Sequence, residues 1–407
     1  MRRVTAVTAC ALAFGPVAAC GHAPPPRRAS TVAIVPSSGA RAVRPDAPVA
    51  VRVRDGRIGS VTLTDTHASG TRSIEGRLSP DGTVWSPRWA LSPGRSYALL
   101  ATVAGADGRV STVRRAFRTR RVAHTIAASV VAPGEGSRVG VGMPIIVRFA
   151  APVQDRAAVE RSLQLSTSAP VTGAWHWFSD TDVVYRPRTY WPAHTRVRLL
   201  AHLGGLRLTR GAYGAQDVAT GFGVGDAHIT VASARSHHQV VRVNGRRVRR
   251  MPISMGKGTR FAYTTTSGVH LTMEKAHHMV MDSASVGCPP GCPDHYRHDV
   301  YYAVRISDSG EYEHSAPWSV GDQGSHNVSH GCINLGPRDA RWFYRQTQPG
   351  DVVEVTGTRR RLDAGNGWGF WQLTWPEWLN GSATGMSSGQ GLPTPELTTT
   401  TQAITRH

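Results

Sequence analysis

Lysine is nearly absent from this sequence, and long apolar runs are absent after its first twenty residues. Only two of the 47 basic residues are lysine, Lys257 and Lys275, and the arginines are scattered without forming a nucleic-acid recognition module. We therefore expect no nucleic-acid partner. No segment after the N-terminal region approaches about 18 unbroken apolar residues, so none of it is expected to cross a membrane.

The formal net charge of the chain is +20. A cationic protein of this kind suits an anionic cell wall or membrane surface as its partner. An arginine bias of the whole genome would produce the same charge without any functional cause, so the charge alone leaves both interpretations open.

The N-terminus has the features of an export signal. Arg2 and Arg3 precede an apolar stretch, Val4–Ala19, that is too short to form a stable membrane helix. The stretch ends in Val-Ala-Ala-Cys, which resembles a bacterial lipobox, so Cys20 is predicted to be the lipidated first residue of the mature chain. Signal cleavage beside an incidental cysteine is the alternative. The lipid would anchor the protein in the cell envelope, on the extracytoplasmic face of the plasma membrane.

The number of cysteines points to a free thiol. Removal of the signal leaves Cys20, Cys288, Cys292 and Cys332. If Cys20 carries lipid, an odd number remains, and one thiol should stay unpaired in an oxidising compartment. An unpaired exported cysteine is a candidate reactive group.

Short alternating runs separated by turns, together with 43 glycines and 26 prolines, predict a mostly β, multidomain protein. We expect two immunoglobulin-like β-sandwiches, a mostly-β domain with a helix over residues 338–346, and a Trp-rich extension packed on that preceding domain. Four aromatic residues of the second sandwich are expected in its core: Trp175, Trp177, Tyr190 and Trp191. The predicted boundaries are 1–19 for the signal peptide, 20–30 for the lipidated cysteine and linker, 31–122 and 123–225 for the sandwiches, 226–357 for the third domain, 358–380 for the extension and 381–407 for a disordered tail.

The residues that suggest chemistry lie between His314 and Asn334. Cys332 follows a glycine and has several histidines nearby. A thiol nucleophile needs a base within hydrogen-bond reach to form thiolate near neutral pH, and it needs donors for the oxyanion of a tetrahedral intermediate. Gly331 would let a backbone N–H approach the substrate. The pattern therefore indicates Cys/His acyl transfer, with a buried structural cysteine and a zinc site as alternatives.

The segment resembles the signature of the L,D-transpeptidase catalytic domain. The signature is a His, then Ser/Thr-His-Gly-Cys, one residue, and Asn or Arg; here it is His314 followed by Ser-His-Gly-Cys-Ile-Asn over 329–334. Further resemblance to actinobacterial members extends over Met251–Lys257, Met281–Ser283 and Trp342–Tyr344. Members of that type also have a lipobox-like start, two immunoglobulin-like domains and a Trp-rich C-terminal extension.

The resemblance implies a role for each site residue. Cys332 corresponds to the nucleophile, His314 to the general base and the Ser315 carbonyl to the group that orients its imidazole. His330 and Gly331 would line the site, and the N–H groups of Gly331 and Cys332 would be oxyanion donors. The substrate-binding residues would be Tyr296 at the acyl oxygen, Met281 beside the donor pocket, Trp318 closing the cavity and Asn334 fixing the loop, although packing alone would also account for Met281 and Trp318.

The resemblance implies an enzyme that joins the peptidoglycan stem peptides of two strands, donor and acceptor, by 3→3 cross-links. A thioester on Cys332 would form with release of D-Ala, no cofactor or metal would be needed, and carbapenems would acylate the same thiol. Two rivals remain: an L,D-carboxypeptidase, in which water replaces the amine, and a wall-binding lipoprotein with a vestigial cysteine.

The segment between Met281 and Tyr296 carries two cysteines that we do not expect in the family. Cys288 and Cys292 enclose Pro-Pro-Gly, which favours a tight turn, so we predict a disulfide in a loop above the active site. A zinc site that adds His295 and His298 is one alternative, and two independent thiols are the other.

Overall fold

A computed structural model describes residues 30–66 and 72–385 of the chain. The predicted signal peptide, the lipidated Cys20 and most of the predicted linker lie outside the described residues, as does the tail from residue 386 onward. Among the described residues, no helix is long and apolar enough to cross a membrane.

The first domain is a β-sandwich, as the alternating sequence predicts. Along one long strand, Tyr97, Leu99, Ala101 and Val103 are buried while most of the intervening side chains face outward. The strands pair in two four-stranded sheets, ordered β1-β2-β6-β5 and β4-β3-β7-β8. Their bounds are β1 (Thr31–Val35), β2 (Ala50–Arg54), β3 (Gly56–Asp65), β4 (Arg72–Ile74), β5 (Gly76–Leu78), β6 (Val84–Pro87), β7 (Ser96–Gly105) and β8 (Val110–Arg118).

The second domain is also a sandwich, with sheets ordered β10-β12-β15-β14 and β11-β19-β16-β13 and a small sheet β17-β18-β9. Trp175, Trp177 and Trp191 are buried in its core as expected, and Tyr190 is partly buried against it. The bounds are β9 (His124–Ile126), β10 (Ala128–Ala132), β11 (Arg138–Val139), β12 (Ile145–Phe149), α1 (Arg156–Ser162), β13 (Leu163–Thr167), β14 (Gly173–Trp177), β15 (Asp182–Pro187), β16 (Arg196–Ala201), β17 (Arg207–Thr209), β18 (Ala212–Gly214) and β19 (Val218–Val224).

The third domain is built on a nine-stranded mixed sheet, ordered β23-β28-β20-β21-β22-β27-β26-β25-β24. The predicted hairpin forms between β21 and β22, where Asn244 and Gly245 both have the positive φ, 49° and 81°, that its two-residue turn requires. The bounds are β20 (His228–Ser233), β21 (His238–Val243), β22 (Arg246–Ser254), β23 (Gly268–Leu271), β24 (Lys275–Asp282), β25 (Arg297–Arg305), β26 (Tyr312–Ser315), β27 (Ile333–Leu335), α2 (Pro337–Gln346) and β28 (Val352–Thr356), with short 3-10 turns at Phe261–Tyr263, Ser283–Val286 and Pro317–Ser319.

The Trp-rich extension packs on the third domain as expected, where the Gln372 amide donates to the Val269 carbonyl at 2.7 Å, and it also packs on the second sandwich. It contains a 3-10 turn (Gly369–Gln372) and the helix α3 (Trp375–Asn380). The indole N–H of Trp378 donates to the carbonyl of Ala174, and that of Trp371 donates to the carbonyl of Gly142, each at 2.9 Å. A buried indole needs such an acceptor, and the second sandwich supplies it.

The first residues of the predicted tail, 381–385, are folded instead, because one carboxylate holds several of them. Glu160 of α1 is buried and accepts hydrogen bonds from the hydroxyl of Ser382 at 2.7 Å, the N–H of Ala383 at 2.7 Å, and the N–H and hydroxyl of Thr384 at 3.1 and 2.7 Å. Charge-assisted hydrogen bonds of this kind satisfy a carboxylate that would be costly to bury alone. Residues 381–385 therefore belong to the folded extension.

Candidate active site

One cavity in the third domain, of about 230 Å³, brings together most of the predicted site residues. Ser315 and Gly331 do not line the cavity themselves, but each is adjacent in the chain to a residue that does. The side chains that line the cavity are those of Met281, Tyr296, His298, Val300, His314, Trp318, Val328, Ser329, His330, Cys332 and Asn334.

Parallel pairing of two short strands holds the predicted base beside the cysteine loop. In the register of β26 against β27, His314 lies opposite Asn334 and Glu313 lies opposite Ile333. Cys332 is the residue immediately before β27, so its position is fixed by the same pairing. The Asn334 amide donates to the Ser319 hydroxyl at 3.0 Å, which supports the predicted loop-fixing role.

His314 is buried, and its Nδ1 lies 3.0 Å from the Ser315 carbonyl oxygen. A carbonyl only accepts, so Nδ1 carries the proton and Nε2 keeps its lone pair. Burial lowers the pKa of His314 to about 4. The imidazole is therefore neutral at physiological pH, in the tautomer that a general base needs.

Cys332 is the free cysteine of the described chain and keeps part of its surface in the cavity. Its thiol donates to the Gly310 carbonyl at 3.7 Å. Atoms packed around the sulfur raise the pKa of Cys332 to about 12, although the Tyr312 backbone N–H favours the thiolate. Thiol and imidazole are thus both neutral, so thiolate must form as the proton passes to the base.

Gly331 is one of the positions where glycine is required, since its φ is +137°. Its N–H donates to the Ser329 hydroxyl at 3.1 Å, and that hydroxyl donates to the Cys332 carbonyl at 2.6 Å. The Gly331 carbonyl accepts from the Thr265 hydroxyl at 2.8 Å. The Gly331 N–H, expected as an oxyanion donor, is therefore used inside the loop, which leaves the Cys332 N–H as the backbone candidate.

Aromatic rings form one wall of the cavity. Tyr296 lies with its ring 4.9 Å from that of His330 and 5.3 Å from that of His298. Burial raises the pKa of Tyr296 to about 12, so its phenol keeps its proton and can donate a hydrogen bond. Trp318 stacks on His298 at 4.6 Å and is 48% exposed, which places it at the mouth of the cavity.

The predicted disulfide between Cys288 and Cys292 is present in the structure, with a Cα–Cα distance of 5.4 Å. The Ser283 hydroxyl donates to the Cys288 carbonyl at 2.8 Å, and it accepts from the Tyr296 N–H at 2.9 Å. The zinc alternative is wrong because the sulfurs are bonded to each other and no group of three ligand side chains in the described residues could hold a metal. The disulfide loop leads directly into Tyr296.

Sequence reasoning missed a link between this loop and the cysteine loop. Lys257 donates to the Asp294 carboxylate at 2.8 Å, and its Nζ lies 3.3 Å from Nε2 of His330. An ammonium group only donates, so Nε2 is the acceptor and the His330 proton is on Nδ1. Because lysine is rare in the sequence, Lys257 could have been singled out as a candidate site residue, whereas no neighbouring residue indicates Asp294. The sequence offers His298 only as a possible zinc ligand and Ser329 only as a motif position.

Comparison with known proteins agrees with this geometry. Residues 226–355 match the model of the L,D-transpeptidase catalytic domain, and residues 40–207 match that of a bacterial Ig domain. L,D-transpeptidase 2 of Mycobacterium tuberculosis is 40% identical over 85% of this chain and 83% of its own length. L,D-transpeptidase 5 of the same species is 35% identical over 88% and 78%.

Among solved structures, the LD transpeptidase LdtMt1 in complex with imipenem is 43% identical, with a TM-score of 0.49 over 56% of this chain and 99% of that one. The relationship therefore rests on sequence identity along most of the chain and on the matched catalytic domain. The chain belongs to the L,D-transpeptidase family of cysteine-dependent enzymes.

Proposed function

We propose that this enzyme forms 3→3 cross-links between peptidoglycan stem peptides through a thioester on Cys332. The observation that carries the proposal is that one cavity is lined both by the free cysteine Cys332 and by a neutral imidazole whose Nε2 is unprotonated. A cavity of about 230 Å³ with an aromatic wall can take part of a peptide stem but not a large folded partner.

In the first half-reaction, the Cys332 thiol loses its proton to Nε2 of His314 as the sulfur attacks the carbonyl carbon of the L,D amide between diaminopimelate and D-Ala. The Cys332 backbone N–H and the Tyr296 phenol O–H are the candidate donors of hydrogen bonds to the oxyanion that forms in this step. The His314 imidazolium then gives its proton to the leaving nitrogen. D-Ala departs, and the acyl group remains on sulfur as a thioester.

In the second half-reaction, the side-chain amine of another stem's diaminopimelate attacks the thioester carbonyl. His314 takes a proton from that amine and returns one to the departing Cys332 sulfur, so one base serves both steps. The new amide joins two diaminopimelate residues. Water in place of the amine would make the enzyme an L,D-carboxypeptidase.

We also propose that Cys20 carries lipid and anchors the enzyme at the extracytoplasmic face of the plasma membrane, facing the anionic wall. The support is the sequence Val-Ala-Ala-Cys after a short apolar stretch and the net charge of +20. The two sandwiches would then hold the catalytic domain away from the lipid.

Mass spectrometry of muropeptides after incubation with the purified enzyme tests the reaction. Wild-type protein should yield a 3→3 dimer and free D-Ala, and imipenem should add its mass to Cys332. Cys332→Ala should abolish both results, and Cys332→Ser should leave little activity because a hydroxyl lacks a base matched to it. Dimer formation by Cys332→Ala would refute the assignment, and tripeptide monomer without dimer would favour the carboxypeptidase.

A further inference from the structure

The cavity contains three imidazoles and, within the described chain, no lysine or arginine in its wall. Burial lowers the pKa of His314 to about 4, and burial together with the nearby Lys257 charge lowers the pKa of His330. Neither ring is therefore suited to hold a positive charge near neutral pH. His298 is the remaining basic side chain of the cavity, and it is exposed to solvent.

Two aromatic faces enclose His298. Its ring stacks on that of Tyr296, with centroids 5.3 Å apart and planes 14° apart, and on that of Trp318, at 4.6 Å and 21°. The two rings hold the imidazole in one orientation at the mouth of the cavity, where its N–H can be presented to a ligand. In the register of β24 against β25, His298 lies opposite Met281, which also lines the cavity.

The groups that face His298 are other imidazoles, and the neighbouring carboxylate is already paired. From β26 it faces His314, and from the cysteine loop it faces His330; a charge on His298 lowers the pKa of both. The neighbouring Asp299 carboxylate pairs with His278 at 2.7 Å instead. Within the described part of the chain, no carboxylate forms an ion pair with His298.

We propose that His298 is a specificity-determining residue that binds a carboxylate of the donor stem peptide at the mouth of the cavity. This inference rests on the proposed function, because stem peptides carry the carboxylates that it requires. The imidazole held between Tyr296 and Trp318 supplies an N–H donor to a substrate oxygen, and that hydrogen bond is charge-assisted when the ring carries a proton. A charge on His298 would add to the effect of burial in lowering the pKa of His314, so substrate recognition and the base do not compete for a proton.

Four variants of the full chain separate charge from stacking. His298→Gln removes ring and charge, His298→Tyr keeps a stacking ring without charge, and His298→Arg keeps the charge permanently. His277→Gln is the matched control, since His277 is an exposed histidine on the adjacent strand β24, outside the cavity, and its loss leaves the pair between His278 and Asp299 in place. Each is assayed for D-Ala release and dimer formation with tetrapeptide donors whose free carboxylates are converted, one at a time, to carboxamides.

For the wild type and His277→Gln, amidation of one particular carboxylate should raise KM for the donor by roughly 3- to 10-fold, the range for a single exposed charge contact. In His298→Gln and His298→Tyr, KM should be equally raised for the unmodified donor and for the amidated donor. The kcat of these variants and the imipenem adduct on Cys332 should persist. His298→Arg should keep the preference for the unmodified donor, because a guanidinium supplies N–H donors and a positive charge at the same place.

Equal sensitivity of His298→Gln and the wild type to every amidation would overturn the inference. It would leave the transpeptidase proposal intact, because dimer formation through Cys332 is measured in the same reactions. A rescue of donor preference by His298→Tyr would likewise overturn it, since stacking alone would then suffice. Loss of all dimer in the wild type would instead refute the proposed function.

Discussion

Replacing Glu313 by glutamine is expected to stabilise the protein, and to do so increasingly as the pH rises. Glu313 is fully buried next to His314, the proposed base, and one of its oxygens accepts from the Gln239 amide at 2.8 Å. The other carboxyl oxygen of Glu313 and the amide oxygen of Gln239 are buried without a partner. In Glu313→Gln, the new amide can accept from Gln239 and also donate to it, so the pair would be joined by two hydrogen bonds.

The magnitude follows from the buried charge. Burial raises the pKa of Glu313 from an ordinary 4.5 to about 8. Below pH 4.5 the carboxyl is protonated in the folded and unfolded chain alike; as the pH rises towards 8, only the unfolded chain releases its proton freely, and stability is lost. At about 1.4 kcal/mol for each pH unit, the loss approaches about 5 kcal/mol by pH 8 and is about 3 kcal/mol at pH 7.

The assay is the difference in free energy of unfolding between wild type and Glu313→Gln, measured by tryptophan fluorescence from pH 5 to pH 8. The difference should grow steadily in favour of the variant. Glu354→Gln is the control, because this residue also lies in a strand of the same sheet but its side chain is exposed, and its difference from the wild type should stay flat. A constant or shrinking advantage of Glu313→Gln would refute the argument from burial.

Three further predictions concern catalysis, the disulfide loop and location. His314→Ala should reduce kcat by roughly 10²- to 10⁴-fold in single-turnover acylation assays and His330→Ala by less; the reverse order would exchange their roles. Cys288→Ser with Cys292→Ser should raise KM for the donor while lowering the free energy of unfolding by no more than about 2 kcal/mol, as steady-state kinetics and denaturation would check. Cys20→Ala should move the protein from the membrane fraction to the soluble fraction, whereas a wild-type chain starting at Cys20 with no added mass would contradict lipidation.

Local sequence patterns are sufficient to predict the strands, the hairpin turn and the loop that carries Cys332. Alternation of apolar residues identifies strands because side chains alternate across a sheet, and Asn244-Gly245 identifies the hairpin turn because both positions need positive φ. The motif around Cys332 was recognised as a unit, and the cavity brings its members together. The disulfide could also be predicted from the sequence, because its two cysteines enclose a short turn.

Contacts between distant segments could not be predicted in this way. Nothing near Asp294 indicates that it pairs with Lys257, 37 residues earlier. Alternation places Glu313 on a buried face, but only the fold shows that Gln239 is its partner. The engagement of the Gly331 N–H depends on the rotamer of Ser329. In each case the deciding interaction is a side-chain geometry that a linear pattern does not contain.

The attachment of the C-terminal extension to the second sandwich bears on the order in which the chain folds. The bonds from Glu160 to Ser382 and Thr384 join positions 222 and 224 residues apart, so they close a loop that contains the whole catalytic domain. Contacts of such long range form late, since the entropy of closing the loop is lost before they are gained. During synthesis the second sandwich is therefore incomplete until the extension is made, with Arg186 still lacking the indole faces of Trp371 and Trp378 that cover it, each 4.6 Å from the guanidinium carbon. A segment synthesised after the catalytic domain thus closes an earlier domain and fastens the catalytic domain at both of its ends.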